Sequence, residues 1–183
     1  MALQNTLNNQ GHWIRYGKVA SWPLAASQTI KKGDFLKVSG TQCAQAITAP
    51  SATATLSTDG GSVAILGVAL ADVTTGATVT DADRMQVAIA DDDLLVALRL
   101  YHATASSSEV QDATIGGATV YELERYAPAV STAVPFYVVD IASGTTTQTA
   151  AQLIYAARCA ESDVADDFGL VWVKVSYLKR AMP

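Results

Sequence analysis

Two histidines, two cysteines and three groups of aspartates are the side chains here with the reactivity to do chemistry. A hydrolytic nucleophile needs a base, and His12 and His102 are the available imidazoles. Neither sits in a motif: His12 lies in a polar N-terminal stretch, His102 beside Tyr101 at the end of an apolar run. A Ser-His-Asp set is recognised by geometry rather than spacing. A small hydrolase on a β fold therefore stays among the readings, although no G-x-S-x-G occurs; it requires a cleft with His102 or His12 beside a serine and a carboxylate. The plainer reading is a pair of structural histidines.

Zinc needs Cys and His at ligand spacing, and Cys43, Cys159, His12 and His102 are each isolated. Cys43 and Cys159 lack a C-x-x-C partner and read as reduced, buried small residues of a chain made in a cytosol; a single bridge between them is the alternative. Calcium needs six or more oxygens from a shaped loop. Asp81/Asp83, Asp91-Asp92-Asp93 and Asp163/Asp166/Asp167 contain no D-x-[DN]-x-[DN]-G pattern, so they read as turn caps, with a weak calcium site as the minor alternative. Gly60-Gly61 and Gly116-Gly117 lack the phosphate-loop lysine and read as turns. The expectation is a chain with no catalytic residue, no cofactor and no metal.

The bulk composition points the same way. The chain has 183 residues, half of them apolar, which is enough for one domain with a real core. Only 16% are charged, against roughly 25% in an ordinary domain. Thr, Ser, Gln and Asn supply the polarity, and a surface of small uncharged groups desolvates without stripping water from a full charge. The net charge is −5 and the densest basic pairs are Lys31-Lys32 and Lys179-Arg180. A nucleic-acid partner needs a basic stripe, so none is expected. The polar N-terminus has no export pattern, and no apolar run approaches the ~20 residues that span a bilayer, so no membrane partner is expected.

The elements that would position any site are strands. Residues 62–90, SVAILGVALADVTTGATVTDADRMQVAIA, hold two β-branched apolar runs, 63–73 and 78–90, around Thr74-Thr75-Gly76. Branched Cβ atoms favour pleated backbone, Gly67 interrupts the first run, and glycine supplies the positive φ that a tight reversal needs, so a β-meander is predicted. Strands are also predicted at 35–38, 43–47, 119–125, 136–141 and 170–177, and at 94–101, where Leu and Ala also suit a helix. Residues 150–159 fit a strand or a short helix. Polar turns fall at 91–93 and 142–148, and polar loops at 48–61 and 104–117. The predicted fold is all-β, a small β-barrel or sandwich. Residues 1–29 have no clean period and carry Trp13, Tyr16 and Trp22. They read as an extended N-terminal arm before a β-barrel-like domain at 30–183, with those three aromatics as its interface anchors. The alternative is a first strand plus a loop, with the aromatics closing one end of the barrel.

The run Gly67 to Val79, G-V-A-x-x-D-V-x-x-G-x-x-V, resembles the small β-domain decoration (cement) proteins of tailed-bacteriophage heads. Lys32-Gly33-Asp34-Phe35-Leu36, Leu100-Tyr101 with Ala103-Thr104, and Phe136-Tyr137-Val138-Val139-Asp140 extend the likeness to about 60% of the chain. The resemblance implies a structural virion protein made in the host cytoplasm and placed on the outer capsid surface. Its partner would be the major capsid protein, it would be a homo-oligomer, with a trimer favoured over a dimer, and it would have no catalytic residue. It also implies that residues 1–29 reach onto neighbours, so that deleting residues 2–22 would weaken capsid association and leave the domain folded. The runner-up is a tail or fibre module of a virion, and the hydrolase is third.

Overall fold

The computed structural model describes residues 3–7, 13–46, 65–101, 120–126, 136–145, 153–154, 156–158 and 170–175. The chain is all-β, and no α-helix occurs among the described residues. The strands are β1 (Gln4–Leu7), β2 (Trp13–Tyr16), β3 (Val19–Pro23), β4 (Thr29–Ile30), β5 (Phe35–Ser39), β6 (Gln42–Gln45), β7 (Ile65–Ala69), β8 (Val73–Thr74), β9 (Arg84–Ile89) and β10 (Leu95–Tyr101). They continue with β11 (Val120–Tyr126), β12 (Phe136–Thr145), β13 (Leu153–Ile154), β14 (Ala156–Arg158) and β15 (Leu170–Lys174). An eight-stranded sheet, a five-stranded sheet in the order β3-β9-β7-β5-β6, and the short pair β4-β8 form an open, sandwich-like arrangement.

In the eight-stranded sheet β10 is the hub. It pairs antiparallel with β2 and β15, and its far end runs parallel to β12. Period two along each strand then sorts the residues into two faces. The inward row Ile14–Val96–Val173 is directly opposed across three strands, and all three side chains are fully buried. Tyr16, Leu98 and Tyr137 are buried with them. Tyr137 meets Phe35 of the five-stranded sheet with ring centroids 4.9 Å apart and planes tilted by 58°, a favoured aromatic geometry.

The five-stranded sheet carries its own core on its other face: Leu24, Ile30, Leu36, Cys43, Leu66, Ala69, Met85 and Val87, with Trp22, Val38, Val73 and Ile89 packed against it. Strand β7 is buried along its whole length, and Gly67 has no room for a side chain there. A Cβ at Gly67 would lie 1.9 Å from the Ala88 carbonyl oxygen. The register of β5 on β7 shifts at this point, between Leu36 and Lys37. Gly67, which interrupts the first apolar run, therefore serves a close backbone approach in mid-strand.

Two neighbouring segments cross from one sheet to the other. Gly17-Lys18 leads β2 into β3, and residues 90–94 lead β9 into β10. Val19 pairs with Ala88 in one sheet and Arg15 with Leu95 in the other, so the second segment has three extra residues to turn the corner. A Cβ on Gly17 would lie 2.7 Å from Asp93 Oδ2, and the Ile89 amide donates to the Lys18 carbonyl at 3.0 Å. Corners of this kind are where strands switch sheets.

This geometry corrects the arm. Trp13–Tyr16 and Val19–Pro23 are strands of the two sheets, and Gln4–Leu7 pairs with Trp13–Tyr16. Deleting residues 2–22 would remove strands from both sheets, so a folded remainder is not expected. Two boundaries also move. Of residues 78–90 only Arg84–Ile89 is strand, because Asp83 Oδ2 accepts from the Thr80 amide at 2.7 Å and from the Thr80 hydroxyl at 3.1 Å and holds 80–83 as a turn. The turn expected from residue 142 starts later, since β12 runs through Thr145. Within the predicted strand 94–101, residues Leu95–Tyr101 are strand.

Candidate functional site

The described residues place the exposed apolar surface near the N-terminus. The exposed large hydrophobics are Leu3 (50%), Leu7 (41%), Trp13 (44%) and Val19 (37%). Strands β1 and β2 make an antiparallel pair with Asn5 opposite Arg15 and Leu7 opposite Trp13. Alternation turns Ile14 and Tyr16 inward, so Trp13 and Arg15 face outward with Asn5 and Leu7. Thr6 faces the other way and is held there: its hydroxyl oxygen accepts from Lys32 Nζ at 2.6 Å.

The outward face continues across β10 to β15. Leu95 stands opposite Arg15, and Ala97 opposite Trp172. Ala97 has a short side chain, and Trp172 is half-buried beside it. The Arg15 guanidinium reaches over Trp172, 5.3 Å from the ring centroid, which is cation–π distance. Arg15 Nε donates to Asn5 Oδ1 at 3.3 Å. Asn5, Trp13, Arg15 and Trp172 line a shallow recess of about 210 Å³. Two indole rings, a planar cation and an amide on one sheet face make a contact surface: large rigid apolar area with a few hydrogen-bonding groups.

The three expected anchors separate. Trp13 is exposed on this face. Tyr16 is buried at 9% exposure on the opposite face of the same strand. Trp22 opposes Met85 and packs against the core of the five-stranded sheet. Tyr16 and Trp22 thus fix the segment to its own domain. Sequence reasoning missed Trp172 and Arg15, since β15 reads simply as a strong strand; their meeting depends on pairings through β10.

Elsewhere polar groups are spent on the fold. Asp34 is buried and its Oδ2 accepts from the Lys31 amide at 2.9 Å and from Gln45 Nε2 at 2.7 Å. The same Gln45 nitrogen donates to the Thr29 carbonyl at 2.6 Å, and the Gln45 amide donates to Gln28 Oε1 at 3.0 Å. This knot ties the β4-β8 pair to β5 and β6, and satisfies a buried carboxylate with donors. Asp91 Oδ1 accepts from the Asp93 amide at 3.0 Å, an Asx turn. Cys43 is a free, buried thiol, and burial pushes its pKa up to about 11; it stays protonated at neutral pH, which removes its nucleophilic form. Among the described residues no cluster of three or more His, Cys, Asp or Glu could hold a metal ion, and no helix is long and apolar enough to cross a membrane. His12, His102, Cys159, Asp163, Asp166, Asp167 and the loops 48–61 and 104–117 lie outside the described residues.

No family model matches the chain, and no curated protein or solved structure matches it.

Proposed function

We propose that this protein is a structural component of a virion that binds the outer surface of a phage head and stabilises the shell by cementing neighbouring major capsid protein subunits. The observation that supports this reading is the outward face of the β1–β2 hairpin, where Leu7 and Trp13 oppose each other in the open. A cement protein works through many weak contacts repeated by symmetry, so avidity supplies the affinity. Each copy then needs complementary apolar and hydrogen-bonding surface rather than a reactive group. The low charge of the chain suits the same task, because few ions lose water on docking. Trp13 is the anchor of this contact; Tyr16 holds β2 from its buried face, and Trp22 fixes the following strand to the core of the five-stranded sheet.

Two measurements test the reading. The first counts copies of the protein against the major capsid protein in purified particles of the virus that encodes it. A ratio near one, or a simple fraction of it, is expected; a handful of copies selects the tail or fibre module, and absence removes the virion reading. The second replaces Trp13 by Ala and measures occupancy on particles at limiting protein. Occupancy should fall at least tenfold with the fold intact, as for the loss of an aromatic anchor; unchanged occupancy would show that another face makes the contact.

A further inference from the structure

Strand β1 ends the eight-stranded sheet, and among the described strands it pairs only with β2. Its outer edge carries a row of backbone donors and acceptors. Natural proteins blunt such edges with Lys, Pro or a bulge. Residues 2–9, ALQNTLNN, contain no charge and no proline, and the four pairings of β1 with β2 run without a bulge.

The sequence at this edge is also symmetric about its centre. Leu3-Gln4-Asn5-Thr6-Leu7 reads apolar, polar, amide, polar, apolar in both directions. We propose that the outer edge of β1 pairs antiparallel with β1 of a second copy of this chain, about a two-fold axis centred on Asn5. In that register Leu3 opposes Leu7 of the second copy, Gln4 opposes Thr6, Asn5 opposes Asn5, and Leu7 opposes Leu3. Directly opposed residues share a face, so the leucines meet on the outward side. A two-fold centred on Gln4 or Thr6 sets leucine against asparagine instead. The row across the junction becomes Arg15, Asn5, Asn5, Arg15. The two guanidinium-bearing positions then stand three strand spacings apart, roughly 14 Å, beyond the Debye length at physiological salt. The exposed faces of the two hairpins join into one surface, in which a row Trp13–Leu7–Leu3 lies on each side of the polar row and the two Trp13 rings stand at opposite corners. A five-residue edge is small beside a standard interface, so the pair forms reversibly in solution and is reinforced where copies are crowded on one surface. The inference does not depend on the capsid reading.

Single cysteines test the register. Opposed residues in an antiparallel pair have Cα atoms about 4.5–5.5 Å apart, within reach of a disulfide. Asn5→Cys should give a disulfide-linked dimer under mild oxidation at least tenfold above the wild-type chain, which measures the background from the native cysteines. Leu3→Cys alone should stay at background, because the two Leu3 positions lie four residues apart along the strands, about 13 Å. Leu3→Cys mixed with Leu7→Cys should cross-link. The proposal fails if Asn5→Cys stays at background, or if Leu3→Cys alone links as well as Asn5→Cys does.

Discussion

Trp13 and Trp22 lie nine residues apart in one segment and serve opposite ends. Trp22 sits on β3, opposite Met85, with its ring against the core of the five-stranded sheet. Trp13 sits on β2 with its ring outward, next to Leu7 and above a recess it shares with Arg15 and Trp172. The difference follows from the two-residue period of a strand together with the corner at Gly17-Lys18, where the chain leaves one sheet for the other. Tyr16, three positions after Trp13, lands on the buried face and completes the contrast. Residue type alone says that an aromatic wants cover. The face it is given decides whether its own domain supplies that cover or a partner must.

The largest effect should come where the five-stranded sheet has no slack. Gly67→Ala would drive a methyl group into the Ala88 carbonyl, 1.9 Å away, and force β7 and β9 apart. A loss of about 3 kcal/mol or more is expected by urea denaturation, as for severe overpacking; a loss under about 1 kcal/mol would mean that the backbones yield easily. Next comes the inward row. Ile14→Ala should cost about 2–5 kcal/mol, as other large-to-small changes at fully buried sites do. Its neighbour Trp13→Ala should change stability by under about 1 kcal/mol and act on association instead. Equal losses of stability at the two positions would erase the distinction between the faces.

Cys43 sharpens the comparison through pH. Its folded pKa of about 11 lies above the usual thiol value, so the native state favours the neutral form. Stability from this group is therefore fully present below about pH 9 and is lost as pH rises towards 11, by up to about 2 kcal/mol. Comparing alkaline unfolding of Cys43→Ala with wild type isolates the effect: the variant should lose less stability over that window. Identical slopes would mean that the thiol is no better shielded in the fold than in the unfolded chain.

Much of the fold was readable. Strands at 35–38, 43–47, 94–101 and 136–141 follow from β-branched and apolar runs bounded by turn residues, and the structure has strands there. What could not be read was pairing. Nothing local tells β2 to join β10 while β3 joins β9, so residues 1–29 look like an arm without a core of their own. Their core is supplied by strands about seventy residues further on. The candidate site was legible at Trp13 and not at Trp172, because the two meet only through the register of β10. Gly67 shows the limit in a single residue: the same atom deficit serves a turn or a close approach, and only the neighbour across the sheet distinguishes them.

The smallest effects should come from the exposed rim, where Asp72 of the G-V-A-x-x-D-V run meets the turn before β5. Asp72 Oδ1 accepts from the Lys32 amide at 2.8 Å, and Oδ2 pairs with Lys31 Nζ at 3.1 Å. Both side chains of the ion pair are more than a third exposed, and surface pairs of this kind contribute little. Lys31→Ala should therefore cost under about 0.5 kcal/mol. Asp72→Ala leaves the Lys32 amide without its carboxylate acceptor and should cost about 1 kcal/mol, as for a lost turn cap. Asp72→Asn separates the two roles. It keeps an acceptor for the amide and removes the charge, so it should fall close to Lys31→Ala. An Asp72→Asn variant as unstable as Asp72→Ala would mean that the charge, not the backbone hydrogen bond, holds this turn, and that electrostatics matter more on the rim than solvent screening allows.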